Sequence, residues 1–398
     1  MTNFNTLDDL GDIKGKVVFI RADLNVPAKD GKVTDTTRID RFAPTLIELA
    51  DKGAKVLVAS HFGRPDGVIK PEFSMAFLVP ELEKATGKKI TFIDDCIGPK
   101  VENAVAAMKD GDVVLLENLR FHKQEEENDP EFSKTLAKGV DIYVDDAFST
   151  AHRAHASTAG MAADVPVRVA GRLMQAELEA LNKALDNPVH PVAALVGGSK
   201  VSTKLDLLGN LVKKVDYLLI GGGMAHTFLA AQGIAMGEGS LVEPAMIETA
   251  KNILANAGNC KIVLPSDLVW ANAFAEGQEA HVAAIDSLPA GKPLLDIGPL
   301  STALFIETIG QCKTLIWNGP VGAFEIPPFN AGTNEIAKAV AELTKDGHLT
   351  SVAGGGDTVS ALKKAGVKKD LTYVSAAGGA FLEWMEGKEL PGVKVLEK

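Results

Sequence analysis

The sequence predicts an α/β protein made of two doubly wound parallel-sheet domains joined by a hinge helix. Three observations lead there. Short β-branched runs alternate with segments of helical apolar period along nearly the whole chain. The strands are too many for one sheet of ordinary width. Arginine and glycine are also placed very differently in the two halves.

In the first half the candidate strands are Val17–Arg21, Lys55–Ser60, Ile90–Ile93, Val113–Glu117 and Asp141–Asp145. The second half offers Val192–Val196, Asp216–Ile220, Lys261–Leu264, Thr314–Trp317, Leu349–Ala353 and Leu371–Val374. Helical spacing fills intervening stretches such as Pro99–Lys109, Glu131–Lys138, Pro244–Asn256 and Asn334–Thr344. Near-continuous apolar strands joined by helices indicate parallel sheets covered on both faces. The domain boundary is expected near Gly171–Asn187, where a polar-faced helix from Arg172 to Asp186 follows a loop (Ala147–Arg168) and stops at Asn187-Pro188.

The 398 residues are 46% hydrophobic and 23% charged, which suits a folded protein with substantial cores. With 41 basic and 52 acidic residues the net charge is −11, so nucleic acid and anionic membranes are disfavoured as partners. Cys96, Cys260 and Cys312 are far apart and lack metal-ligand spacing, which reads as buried thiols in a reducing cytosol. The start of the chain lacks the basic segment and apolar core of a secretory signal. The apolar stretch Tyr217–Met236 is broken by Gly221, Gly222, Gly223 and His226, so it is no membrane span. A cytoplasmic protein is expected.

All eight arginines (Arg21, Arg38, Arg41, Arg64, Arg120, Arg153, Arg168 and Arg172) lie in the first half, although lysines continue to Lys398. Lysine alone keeps a surface solvated, so the asymmetry points to bidentate anion recognition. Arg21, Arg64, Arg120 and Arg153 each sit at or just beyond the carboxyl end of a candidate strand, with His61, His152 and His155 beside them. Open α/β sheets bind ligands at that edge. The second half has glycine in the equivalent places: Gly197-Gly198, Gly221–Gly223, Gly319 and Gly322, Gly354–Gly356, and Gly378-Gly379. Glycine permits close backbone approach, and a following helix offers free N–H groups to an anion. Together these features predict an anion-binding crevice in the first half and a nucleotide-binding crevice in the second.

The generic signatures are missing: no P-loop, no protein-kinase catalytic loop, no dinucleotide fingerprint after the first strand and no zinc motif. Longer segments are more specific. They read Arg21-Ala-Asp-Leu-Asn-Val-Pro27, Asp35-Thr-Thr-Arg-Ile39, Ser60-His-Phe-Gly-Arg-Pro65, Glu117-Asn-Leu-Arg-Phe121 and Asp146-Ala-Phe-Ser-Thr-Ala-His-Arg-Ala-His-Ala-Ser157. Gly197-Gly-Ser-Lys-Val-Ser-Thr-Lys204, Trp317-Asn-Gly-Pro-Val-Gly-Ala-Phe-Glu325 and Gly354-Gly-Gly-Asp-Thr358 follow. In order and spacing, from about residue 15 to Lys398, the chain resembles the phosphoglycerate kinase family.

The resemblance implies Mg²⁺-dependent transfer between ATP with 3-phosphoglycerate and ADP with 1,3-bisphosphoglycerate, by a monomer. It assigns residues 1–171, with about 381–398, to a phosphoglycerate-binding domain and 172–380 to a nucleotide-binding domain. The implied substrate-binding set is Arg21, Asp23, Leu24, Asn25, Arg38, His61, Phe62, Gly63, Arg64, Arg120 and Arg153. The implied nucleotide-binding set is Gly197, Gly198, Lys200, Lys204, Gly222, Gly223, Asn318, Pro320, Glu325, Gly355, Gly356, Asp357 and Thr358, with Asp357 beside the metal. Arg38, Lys200 and Lys204 take the catalytic roles. Four departures from the family pattern stand out: Ser149 for Gly, Ser199 for Ala, Thr203 for Asp, and Ala376-Ala377 for Thr-Gly.

This chemistry needs no general base, because the acceptor carboxylate is already ionised and catalysis rests on positioning and charge stabilisation. The histidines are therefore expected to act as hydrogen-bond donors or supports. The alternatives are a nucleotide-binding α/β dehydrogenase, which the missing fingerprint disfavours, and a nucleotide-sensing protein, which leaves the arginines without a role.

Overall fold

The computed structural model describes residues 4–398. The chain folds into two compact units, one of residues up to Glu179 together with Glu389–Lys398, the other Ala180–Lys388.

In the first unit β1 (Val17–Ala22), β2 (Lys55–Ala59), β3 (Ile90–Ile93), β4 (Val113–Leu116), β5 (Ile142–Asp146) and β6 (Val167–Ala170) form one sheet. Its order is β3-β4-β2-β1-β5-β6, with every neighbouring pair parallel. Val18, Ile20, Val56, Val58 and Val144 bury one face together with Ile39, Phe42, Leu46 and Leu49. Those last four recur at helical period along α1 (Thr37–Asp51), so a single stripe of that helix covers the central strands.

In the second unit β7 (Val192–Val196), β8 (Tyr217–Ile220) and β9 (Lys261–Val263) share a second parallel sheet with three later strands. A separate antiparallel sheet comprises β10 (Asp267–Trp270), β11 (His281–Ala284) and β12 (Leu294–Ile297), with β10 in its centre. The larger sheet continues through β13 (Thr314–Asn318), β14 (Thr350–Ala353) and β15 (Tyr373–Val374), in the order β9-β8-β7-β13-β14-β15. Its pairs are all parallel. The expected two parallel-sheet domains are present.

The sequence reading had no place for β6, for the antiparallel sheet or for a small hairpin pairing Ala28–Lys29 with Lys32–Val33. It assigned Ala147–Arg168 to loop, yet β6 begins at Val167 inside that span.

Both unit boundaries fall eight residues later than expected. The helix α2 (Arg172–Leu181), which continues as a wider turn over Asn182–Asp186, starts within the first unit. The Arg172 amide donates to Thr45 Oγ1, and its guanidinium spans Glu48 and Asp8 in paired bonds of 2.7–2.9 Å. Asp146, at the end of β5, accepts the amides of Leu173 and Met174 and so caps the helix start. These bonds hold the first two turns to the N-terminal sheet.

At the other end, α3 (Leu205–Leu211), α4 (Gly223–Ala231), α5 (Gly356–Lys364) and α6 (Gly378–Met385) all belong to the second unit. Asn210 on α3 donates to the Met385 carbonyl at 2.6 Å, which keeps α6 there. The returning tail is therefore shorter than Phe381–Lys398. Only Glu389–Lys398 rejoins the first unit, where Gly392 N donates to Ala151 O at 2.9 Å and Phe4 bridges Glu397.

Leu195 is fully buried on the central strand β7. Leu195→Ala should lower stability by about 2–5 kcal/mol through lost burial and the cavity left behind. Urea unfolding followed by circular dichroism measures this, and a loss below about 1 kcal/mol would contradict the packing described.

Candidate active site

The chain enters the first sheet in its middle, fills the side of β2 to β4 and then crosses to β5 and β6, so the strand order reverses between β1 and β5. The loops leaving β1, β2, β4 and β5 meet above four adjacent strands, which is where an open sheet forms a ligand crevice. Asp23, just beyond β1, accepts two bonds from Arg38 Nη1, at 2.6 Å to Oδ1 and 2.7 Å to Oδ2. Ser149, beyond β5, donates from Oγ to the same Oδ2 at 2.6 Å and so spans the reversal point. Asn25 accepts the Gly63 amide at 3.0 Å, and Asn118 accepts the Phe62 amide at 3.2 Å. Leu24 is buried, with its amide on Ser60 Oγ. Arg120 is nearly buried and donates to the Gly63 carbonyl at 3.0 Å. Arg64 and Arg153 are exposed.

Arg21 is placed differently from the other arginines. It is 1% exposed, and its donors are spent inside on Ser157 Oγ, the Ala22 carbonyl and His61 Nδ1. Below it the buried Glu125 accepts both Ser157 Oγ and the Ser157 amide. This Glu125–Ser157–Arg21 chain ends on His61. A guanidinium can only donate, so His61 Nδ1 accepts and the ring proton sits on Nε2. Burial first, then the surrounding arginines, hold the His61 pKa well below 6.5. Burial and the charges of Arg120 and Arg21 bring His155 down to about 4. Both rings are neutral near pH 7. The sequence located Arg21 correctly at a strand end, but the structure makes it a support beneath the crevice rather than part of its lining.

In the second sheet the order reverses between β7 and β13. Two glycine loops are pressed together there. A Cβ on Gly197 would lie 1.9 Å from the Pro320 carbonyl oxygen, and one on Gly319 (φ +101°) would lie 2.3 Å from the Gly197 carbonyl oxygen. These glycines allow the loops to approach each other, a role beyond the ligand approach and turn geometry expected from the sequence. Thr358 Oγ1 accepts the Gly319 amide at 2.7 Å, and Trp317 Nε1 donates to the Gly319 carbonyl at 2.8 Å. Asn318 Nδ2 holds the Gly354 carbonyl at 3.0 Å. Asn318 and Thr358 are thus buried braces between loops.

The Lys204 ammonium lies in the cage these loops make. It donates to the Gly197 carbonyl at 2.6 Å, to Asn318 Oδ1 at 2.6 Å and to the Asn318 carbonyl at 3.2 Å. Burial lowers its pKa to about 8, opposed by the charge of Asp357. Lys200 is exposed, and Thr203 Oγ1 donates to its carbonyl at 2.9 Å.

Beside the cage is a cavity of about 480 Å³. Gly198, Gly222, Gly223, Pro320, Glu325 and Asp357 line it, as do Leu241, Leu268, Phe274, Leu294 and Ile297. The first group was expected. The second is an apolar wall contributed largely by the antiparallel sheet, and the sequence reading missed it. The run Pro293-Leu-Leu-Asp-Ile-Gly298, an apolar strand between turn residues, carried the available signal. A mostly apolar pocket with polar groups at helix N-termini (α4 and α5) suits a phosphorylated ligand with a flat apolar group.

A profile of the phosphoglycerate kinase family matches residues 7–388. The chain belongs to the phosphoglycerate kinase family. The phosphoglycerate kinase of Rhizobium leguminosarum bv. trifolii is 59% identical over 398 residues, which cover 100% of this chain and 99% of that protein. That of Agrobacterium fabrum is 58% identical over 398 residues, with 100% and 99% covered. The solved structure of the Coxiella burnetii enzyme superposes with a TM-score of 0.92 at 44% identity, covering 99% of this chain and 98% of its own. That of the Pyrococcus horikoshii enzyme gives 0.80 at 31% identity, with 98% of each covered. The chain is accordingly a phosphotransferase that interconverts ATP with 3-phosphoglycerate and ADP with 1,3-bisphosphoglycerate. The dehydrogenase and sensor alternatives fall away.

With His61 and His155 neutral, the pH profile of kcat/KM should show no limb near the ordinary histidine value of about 6.5. It should fall on the alkaline side through about pH 8, as Lys204 in the free enzyme loses its proton. Bound phosphates favour the ammonium, so the limb in kcat should lie at higher pH. An acid limb abolished by His61→Ala would overturn this account.

Proposed function

We propose that the first unit binds 3-phosphoglycerate, that the second binds the nucleotide, and that Arg38 and Lys204 neutralise the migrating phosphoryl group. The observation carrying this division is the contrast between the two crevices. One collects guanidinium groups around Asp23 and His61, and the other pairs a caged ammonium with glycine loops and a cavity of about 480 Å³.

In the first crevice Arg64, Arg120 and Arg153 would hold the anionic ends of the glycerate, with His61 Nε2–H and Asn25 as neutral donors. A neutral His61 adds a hydrogen bond without a proton to lose. The acceptor carboxylate is the nucleophile and is already ionised, which fits a site where both buried histidines are uncharged. Arg38 rests on Asp23, and a phosphoryl group competing for the guanidinium would draw it away. Ser149 then leaves Asp23 with a donor.

In the second crevice Gly198, Gly222, Gly223, Gly355 and Gly356 would present amides to the nucleotide phosphates, and Glu325 at the rim would meet the sugar. Lys200, exposed on the loop after β7, would add charge, and Lys204 would donate to the transferring group from its carbonyl cage. Magnesium prefers oxygen ligands and keeps several waters. Asp357 fits that preference, being an exposed carboxylate in the first turn of α5, directly after Gly355 and Gly356. The ion would screen the nucleotide phosphates there. Three unpaired, buried thiols support a cytoplasmic protein, and the family resemblance supports a monomer.

Arg38→Ala should lower kcat by roughly 10³-fold, by analogy with arginines that stabilise a transferring phosphoryl group, while nucleotide binding is kept. A coupled assay with ATP and 3-phosphoglycerate reads the rate. A rise in KM alone would remove Arg38 from the catalytic role.

Ser149→Gly should leave Arg38 more tightly held by a less neutralised Asp23. Loss of a charge-assisted hydrogen bond of this kind corresponds to a fall in kcat of up to about tenfold. The same assay tests this, and an unchanged or raised kcat would show that Ser149 does not govern Arg38.

A further inference from the structure

Beyond the reaction crevice, the neighbouring strands β3 and β4 bring together three side chains that no motif connects. Asp95 and Cys96 follow β3, and His122 follows the short helical turn Leu119–Phe121 beyond β4. Asp95 Oδ1 lies 3.0 Å from His122 Nε2, although the two residues are 27 apart in sequence. One ligand atom from each of Asp95, Cys96 and His122 falls within 4.8 Å of the other two.

Carboxylate, thiolate and imidazole together form a donor set of the kind that selects zinc over magnesium or calcium. We propose that Asp95, Cys96 and His122 form a site for a thiophilic divalent cation such as zinc, with water as the fourth ligand. Tetrahedral zinc with bonds of about 2.0–2.3 Å places its ligand atoms about 3.3–3.8 Å apart. The Asp95–His122 pair, at 3.0 Å, would open slightly, and a separation at the 4.8 Å limit would shrink by about 1 Å. Side-chain rotation covers that distance.

The electrostatics agree with the geometry. Besides its own burial, the influences raising the Cys96 thiol well above its usual pKa are the negative charges of Asp95, Glu125 and Glu117. A divalent cation in their midst would reverse that balance and favour the thiolate. Cys96 is itself 3% exposed, while the side chains of Asp95 and His122 are 37% and 28% exposed, so an ion can arrive from the solvent side. Cys96 also borders a cavity of about 190 Å³. An ion here would tie the loop after β3 to the segment carrying Arg120, two residues before His122. It would be distinct from the magnesium that accompanies the nucleotide.

The test is a cadmium titration of the chelator-treated, full-length protein, followed by the ultraviolet sulfur-to-cadmium charge-transfer band and by competition with zinc. One equivalent of cadmium should generate the band, and zinc should displace it. Cys96→Ser should abolish the band. His122→Asn, at a half-exposed position that leaves the thiol in place, should weaken cadmium binding at least tenfold (outer-sphere partners alone typically contribute about 10–100-fold). Circular dichroism of both variants without metal verifies their fold. No band in the parent protein would overturn the proposal. So would a band surviving Cys96→Ser, which would place the metal on Cys260 or Cys312, or a cadmium affinity unaffected by His122→Asn.

Discussion

In each parallel sheet the chain begins near the centre, fills one side and then crosses to fill the other. Two loops diverge at the reversal, and the backbone between β1 and β5, or between β7 and β13, cannot close over the carboxyl ends of the strands. The side chains that matter are fixed to those loops. Asp23 and Ser149 join hands across the first reversal, and Gly197 and Gly319 pack across the second. Other parts of the two units supply a firm floor. Fully buried apolar strands make the floor rigid enough for bonds of 2.6–2.7 Å to recur at its edge.

The two crevices solve the cost of concentrating positive charge in different ways. In the first, the guanidinium of Arg38 is paired with a carboxylate, Arg21 is matched to the buried Glu125 through Ser157, and the histidines stay neutral. In the second, Lys204 is surrounded by neutral oxygens. Carbonyl dipoles satisfy its hydrogens without cancelling its charge, so the unbound site remains hungry for an anion, and the depressed pKa records the strain of that arrangement. A partly buried cation left without a paired anion is a poor contributor to stability and a good receptor for phosphate.

The sheets were legible because their strands are short, apolar and continuous, as in Val192–Val196 and Ile90–Ile93. β6 was not, since it is a four-residue edge strand carrying Arg168 and an exposed Val167. The antiparallel sheet was hidden by polar residues within its strands, namely Asp267, His281 and Asp296. Asp267 and Asp296 are buried and hydrogen-bonded to the backbone at Ser301 and Gly332, a tertiary fact with no local signature. At the crevices, residue type revealed which groups could bind anions but not which way they face. Arg21 and Arg153 look alike in sequence, and only packing separates a buried support from a residue at the opening. The cluster of Asp95, Cys96 and His122 exists only once β3 and β4 lie side by side.

All three tryptophans, Trp270, Trp317 and Trp384, fall within Ala180–Lys388, and the other unit has none. Intrinsic indole emission from the intact chain is therefore a private channel to one half of the molecule. Trp317 is the most informative of the three, because its ring is completely buried while its N–H grips the carbonyl of Gly319. Any ligand that shifts that loop must perturb the indole dipole directly, whereas the unit carrying the arginine-rich crevice holds no indole of its own.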